Sequence, residues 1–328
     1  MINVVCFGEA LVDMLSSRVA KGDAANAQAE QFTKYAGGAP ANAAVAVARL
    51  GGAAKFVGML GDDMFGRFLQ AELQAQGVNT EHVQTTRSAK TGLAFVSLDE
   101  HGERSFEFYR PPAADLLYRP EHFDAAVFQS PGIFHVCTNS LTEDAIAETT
   151  QQLVASARAH EWLVSVDVNL RHNLWPEGRA NRDRVNALLA EADVIKFSLE
   201  ELEYLADGSD HFVSGLLKQR AKLILITDGS QPVQWVTAND WGGVHPPAIR
   251  AVDTTAGGDA FIGALLYQLA AADISANQLP AWLSEGAHER AIKFACACGA
   301  HAVSRRGAFV ALPGLAEAEK VFAEHYPN

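Results

Sequence analysis

Three features of the 328-residue sequence predict an α/β fold: a doubly wound, mainly parallel sheet flanked by helices, with a small second β layer. Short apolar runs alternate with helix-length segments along most of the chain, the signature of parallel strands joined by helical crossovers. Two glycine turns, Gly37-Gly38 and Gly257-Gly258, each open an apolar helical segment. Between them, residues 91–109 break the alternation with two successive strand-like runs, which are expected to pair as a hairpin in the second layer.

Residues 2–7 are an apolar run stopped by Gly8 and read as a buried strand. Residues 16–31 are small and polar without an amphipathic period, and are expected to be a loop or exposed excursion. Residues 42–50 carry apolar side chains on every side and end at Gly51-Gly52, a buried helix with a glycine stop. A strand over 53–60 precedes an amphipathic helix over 62–76, which puts Phe65, Phe68, Leu69 and Leu73 on one face and ends at Gly77. The hairpin joins 91–98 to 103–109 through a turn at 99–102. From residue 132 the alternation resumes, with strands at 132–137, 162–168, 194–197 and 223–227 and helices over 142–160, 179–190 and from 199. A β excursion covers 233–244, a helix starts near 258, and a last one spans 284–303. No internal repeat or low-complexity tract appears, so 1–328 is read as one domain.

Composition is that of a soluble globular chain, 48% hydrophobic and 20% charged. The formal net charge is −13 and no lysine/arginine run exceeds two residues, which argues against a nucleic-acid binder with its basic footprint. An acidic chain that handles phosphate must build the site locally, from backbone amides, a metal ion and a few basic side chains. Cys6, Cys137, Cys296 and Cys298 form no C-x-x-C pair and no zinc spacing, and fit a reducing compartment. The N-terminal segment lacks a basic start, and Glu9 and Asp13 interrupt any signal-like apolar region. The longest helical apolar stretch, 260–272, is too short to span a bilayer. The expectation is a cytoplasmic protein with no membrane partner.

The most informative stretch is Asp253-Thr254-Thr255-Ala256-Gly257-Gly258-Asp259. Small residues before a helix let a ligand approach the backbone closely. The first-turn N–H groups point outward with the positive end of the helix dipole behind them, which makes an anion site. An aspartate beside phosphate makes sense as a base that takes the proton from an attacking hydroxyl. The plain alternative is a glycine turn with Asp259 as an ordinary first-turn residue. Asn42, polar inside an otherwise apolar helix behind Gly37-Gly38, needs a hydrogen-bonding partner, either a ligand or nearby backbone.

Together these stretches resemble the ribokinase-like carbohydrate kinases of the PfkB family, whose signatures are a G-G-x-x-x-N turn and a D-T-x-G-A-G-D block. The resemblance covers essentially the whole chain, and adds Gly8-Glu9-x-x-x-Asp13, Val57-Gly58-x-x-Gly61-Asp62-Asp63 and Thr227-x-Gly229. It implies ATP-dependent transfer of phosphate to a sugar hydroxyl, with Asp259 as base and the amides of Ala256, Gly257, Gly258 and Asp259 as anion hole. It further implies Asp13, Gly37, Gly38 and Asn42 as sugar ligands, and Thr227 and Gly229 as nucleotide contacts. Residues 14–35 and 90–115 would form a lid over the sugar, and such an exposed sheet can pair with a second copy.

The sequence departs from the family pattern at three places. Alanine and glycine have traded places at 256 and 257, which would cost something if position 256 needs positive φ. The N-x-x-E magnesium motif appears as Ser198-Leu199-Glu200-Glu201, where Glu201 keeps its place to hold Mg²⁺ through water. The A-N-A stretch near the adenine is Ala295-Cys296-Ala297, so adenine would be held by packing and backbone. Asp253 and Thr255 are the candidate K⁺ positions, and the sequence leaves that requirement open.

Within the family, the run from Gly102 to Asp115 is similar to the fructokinase pattern G-E-R-x-F-x-F-Y-R-x-P-x-A-D, as are the runs starting at Asp167 and Asp193, the latter with Lys196 and Ser198. These imply D-fructose as substrate and fructose 6-phosphate as product. Arg110 and Arg171 become candidates for sugar or phosphate contacts. The alternatives are a solvated lid residue for Arg110 and an ion pair with Asp167 for Arg171. A 2-keto-3-deoxygluconate kinase shares part of these runs and is the runner-up; a non-catalytic sugar sensor is the reading from another class. A dinucleotide-binding enzyme is disfavoured because Gly8-Glu9-Ala10-Leu11 is not G-x-G-x-x-G, and a P-loop kinase because the chain has no Gly-Lys pair.

Overall fold

The structure, a computed structural model, describes residues 1–19, 31–98, 104–110 and 112–327. The chain enters on β1 (Asn3–Phe7), then forms β2 (Leu11–Val19) and β3 (Phe32–Gly37) before helix α1 (Ala39–Arg49). Next come β4 (Ala54–Gly61), α2 (Met64–Ala75) and β5 (Val83–Thr86), followed by β6 (Leu93–Leu98) and β7 (Arg104–Tyr109). Alternation returns with β8 (Gly132–Cys137), α3 (Asp144–Ala159), β9 (Leu163–Asp167), α4 (Arg182–Leu189), β10 (Val194–Ser198), α5 (Leu199–Ala206) and α6 (Phe212–Lys218). The chain closes with β11 (Leu223–Thr227), β12 (Val233–Val236), β13 (Trp241–Val244), α7 (Gly257–Ala271), α8 (Leu279–Ser284), α9 (Ala287–Val303) and α10 (Leu315–His325).

Among the described residues, nine strands form one sheet in the order β13-β12-β11-β10-β9-β8-β1-β4-β5. It is parallel from β11 to β5, and β12 and β13 add an antiparallel edge. Buried apolar side chains of α1, α7 and α9 cover one face. Those of α3, α4, α5 and α6 cover the other. Both faces are buried, which is why β1, β8 and β9 read as largely apolar runs, the buried His135 of β8 and Ser165 of β9 hydrogen-bonding each other. The order reverses at β1: β4 and β5 lie on one side, β8 through β11 on the other. In open α/β sheets, ligands sit outside the strand carboxyl ends at such a switch point.

The second sheet runs β3-β2-β6-β7. The expected hairpin is present as the antiparallel β6–β7 pair, from Leu93 opposite Tyr109 to Leu98 opposite Arg104. Its turn, 99–102, lies outside the described residues. Asp63 anchors this sheet: it caps α2 through the amides of Phe65 and Gly66 and also accepts from the amide and hydroxyl of Thr91. The loop expected over 16–31 is corrected in part. β2 continues through Ser16 to Val19 and β3 starts at Phe32, while 20–30 lie outside the described residues. Polar side chains suit a strand that is not sandwiched between helices, so no apolar run marks it. The half-buried β5, the short α6 and α8, and the exposed α10 were also not legible, since each buries too little to leave a strong period.

Helices α1 and α7 approach closely, and this pairing builds the site. A Cβ on Gly263 would lie 2.5 Å from Ala46 Cβ and 2.9 Å from the Ala43 carbonyl, so only glycine fits. Asn42 and Asp259 lie four residues before Ala46 and Gly263, on the same helical faces. The small-residue seam therefore brings these two side chains together at the helix ends.

Candidate active site

A cavity of about 640 Å³ opens at the switch point. Its wall includes Asp13, Asn42, Asn139, Arg171, Thr255 and Asp259. The second sheet contributes Leu11, Asp13 and Phe108. Asp13 faces Tyr35 across β2–β3, and its carboxylate leaves no room for a side chain at Gly37, where a Cβ would fall 2.4 Å from Asp13 Oδ2. Gly38 adopts φ 106°, and a Cβ there would lie 2.6 Å from the Glu9 carbonyl. The Gly37-Gly38 turn is thus demanded by the close passage of β1's exit and β2.

Asn42 Nδ2 donates to Asp259 Oδ2 at 2.7 Å, a contact between residues 217 positions apart. Asp259 is buried, and burial with the nearby Asp167 carboxylate raises its pKa from 3.8 to about 7, against the opposing pull of Asn42, Lys196 and Arg171. Such a carboxyl is poised as a general base near neutral pH. It sits in the first turn of α7, whose N-terminus has no side-chain cap. Ala256 adopts φ −107°, so the alanine–glycine exchange costs no backbone strain. Gly257 packs under Val303, with room for no Cβ. Gly258 faces the Lys196 ammonium, which would be 3.2 Å from a Cβ.

Lys196 is itself buried and pairs with Asp167 at 2.8 Å. Burial alone pulls its ammonium down, but the carboxylates of Asp167, Glu201 and Asp259 outweigh that and hold it above the ordinary lysine value. A permanent positive charge thus stands behind the glycine turn. The Arg171–Asp167 pair considered from sequence is replaced by this one. Arg171 is exposed on the cavity wall, with Nη1 donating to the Leu170 carbonyl at 3.1 Å.

Arg110 differs from both readings of it. It is neither solvated nor on the cavity wall; it is 1% exposed and bound to Asp115 through Nε at 2.8 Å and Nη2 at 2.6 Å. It also donates to the Asn139 carbonyl and the Thr142 hydroxyl. A buried guanidinium needs such pairing, which fixes the end of β7 to the main sheet.

Ser198 and Glu201 form a reciprocal cap on α5, and Glu201 Oε1 accepts from the Leu170 amide at 2.8 Å. This holds the turn at Asn169, whose φ is 39°. Asp253 accepts from the amides of Thr255 and Gly307, both at 2.9 Å, pinning the loop before α7. Thr227, the last residue of β11 beside the end of β10, donates to the Phe197 carbonyl, and Gly229 turns just past it with φ 53°; neither lines the cavity. Cys296 is buried within α9, its thiol pushed up to about 12 by burial.

Glu9, Asn139 and Asn169 also line the cavity and were not picked out from sequence. Each follows the carboxyl end of a central strand, β1, β8 or β9. That position was the available signal.

The pfkB family carbohydrate kinase model matches residues 1–314. The chain is 39% identical over 322 residues to "Fructokinase-1" of Oryza sativa subsp. japonica, covering 97% of each. A fructokinase from Xylella fastidiosa with bound ATP superposes with a TM-score of 0.92 at 45% identity, covering 98% of both chains. A fructokinase from Vibrio cholerae O395, bound to fructose, ADP and calcium ion, gives 0.86 at 34% identity, covering 98% of this chain and 99% of that one. The family match over residues 1–314 and these similarities agree: the chain belongs to the pfkB family of carbohydrate kinases.

Proposed function

We propose that this kinase transfers the γ-phosphate of ATP to D-fructose, giving fructose 6-phosphate. The observation that carries the reading is the buried Asp259 carboxyl, raised to about 7 and held by Asn42 at the uncapped start of α7. An attacking hydroxyl beside Asp259 gives up its proton there. The first-turn amides and Lys196 face the charge on the transferring group, where positioning and electrostatics do most of the work. Asp13 and Asn42 orient the sugar, and Arg171 reaches the anionic side of the cavity. Thr227, Gly229 and Cys296 border the nucleotide.

Among the described residues, no cluster of three or more His, Cys, Asp or Glu is arranged as a metal cage. Mg²⁺ that keeps waters and binds mainly to phosphates needs only one or two carboxylates. Glu201 fits that role through water, because its oxygens already accept from Ser198 and Leu170. When bound, Mg²⁺ supplies charge neutralisation to the phosphates. Asp253 and Thr255, in the loop pinned before α7, are the place where K⁺ would sit.

ADP release with a sugar panel tests the reading. kcat/KM is expected to be higher for D-fructose than for 2-keto-3-deoxygluconate, whose carboxylate would meet Asp13 and Asp259. The reverse order would overturn the substrate and leave the kinase standing.

The second sheet is our lid. Residues 91–98 and 104–110 are expected to gain hydrogen-exchange protection at saturating fructose, as closure excludes water; unchanged exchange would count against closure. Phe32, Phe95 and Tyr109 form an aromatic row with centroids 5.3 and 5.1 Å apart, and exposed Phe32 and Tyr109 mark where a second copy would pair, to be read as a doubled mass in light scattering.

A further inference from the structure

Three buried oxygens on the cavity wall have no hydrogen-bond partner: Glu9 Oε2, Asn42 Oδ1 and Asn139 Oδ1. The side chains that carry them are only 2–4% exposed. Buried acceptors are normally satisfied, so three around one cavity call for a donor that comes and goes.

The orientation of each amide is fixed by a carboxylate. Asn139 Nδ2 donates to Glu9 Oε1 at 3.0 Å, as Asn42 Nδ2 donates to Asp259. Turning either amide over would set oxygen against oxygen. Each asparagine therefore spends a side-chain donor within the protein and leaves its Oδ1 without a partner. The result is a wall rich in acceptors, with the carboxyl groups of Glu9, Asp13 and Asp259 added to two amide oxygens.

Glu9 lies two residues past β1, and Asn139 two residues past β8. These strands are neighbours at the switch point, so the pair sits at its floor. Burial raises the Glu9 carboxyl above its usual range, while Arg110 and the Asn139 amide oppose that shift. Arg110 gives its own hydrogen bonds to Asp115, Asn139 and Thr142, so it supplies charge to Glu9 without filling Oε2. A group that donates from the ligand side completes this arrangement; a ligand carboxylate does not.

We infer that Glu9 and Asn139 form a second sugar-recognition pair, accepting from ketose hydroxyls remote from the one that Asp259 deprotonates, and so select a neutral polyhydroxylated sugar. This rests on the fructokinase reading. It makes Glu9 and Asn139 determinants of specificity.

The test compares D-fructose with its 1-, 3- and 4-deoxy analogues, measured as kcat/KM on the native enzyme and on Glu9→Gln and Asn139→Ala, with Tm as the check on folding. The native enzyme is expected to penalise at least one analogue strongly. One or both variants should lose activity on fructose through KM and no longer register that missing hydroxyl, a coupling of about tenfold or more. If Glu9→Gln fails to fold, Asn139→Ala carries the same comparison. Penalties of equal size in native and folded variants would overturn the assignment. No turnover of D-fructose by the native enzyme would overturn the substrate reading, and this inference with it.

Discussion

Asp259→Asn is expected to lower kcat by roughly 10²–10⁴, the usual worth of a general base, while fructose still binds. Asparagine keeps the shape and can still accept from Asn42, so the 2.7 Å contact need not be lost. The native enzyme should gain activity as pH rises through about 7, where Asp259 ionises, and the variant should lack that limb. Stability should move the other way. Asp259 has a folded pKa above its ordinary value of 3.8, so its stabilising contribution is complete below that value and is lost as pH rises through about 7. The variant should therefore melt higher than the native protein at about pH 8 and show no such gain at about pH 3. A kcat within about threefold of native would remove Asp259 from the base role.

Gly258→Val is expected to cut turnover by roughly 10²–10³ with little loss of stability. A Cβ at 258 would lie 3.2 Å from the Lys196 ammonium rather than against packed backbone, so a small shift accommodates it while the Lys196–Asp167 pair stays intact. The added side chain would hold the phosphate off the first-turn amides. Gly257→Val is the contrast: its Cβ would meet Val303 at 2.5 Å, so it should lower Tm first. Normal turnover in a well-folded Gly258→Val would place the anion hole elsewhere.

Much of this site was legible because its signals are local. Gly257-Gly258-Asp259 announces a ligand-facing helix start through chemistry confined to a few neighbouring residues, and the structure places α7 at Gly257. Asn42 stood out as the polar residue in an apolar helix, although its partner did not. Arg110 was misread because an arginine in a lid-like run gives no sign of burial; Asp115, five positions on, captures it. Glu9 was read only as part of a motif, and nothing near it in sequence points to Asn139.

By itself, the sequence determined the α/β alternation, the glycine turns, the hairpin insertion and the aspartate in the first turn of α7, our proposed base. These follow from apolar period and backbone freedom, which act over a few residues. Only the tertiary structure decided which carboxylates are paired, which are buried and which remain open to a ligand. Lys196 meets Asp167 because β10 lies beside β9, and Glu9 meets Asn139 because β1 lies beside β8. Asn42 meets Asp259 because Gly263 lets α1 and α7 touch. Strand order and helix approach bring together residues far apart in the chain, and burial then sets their charge.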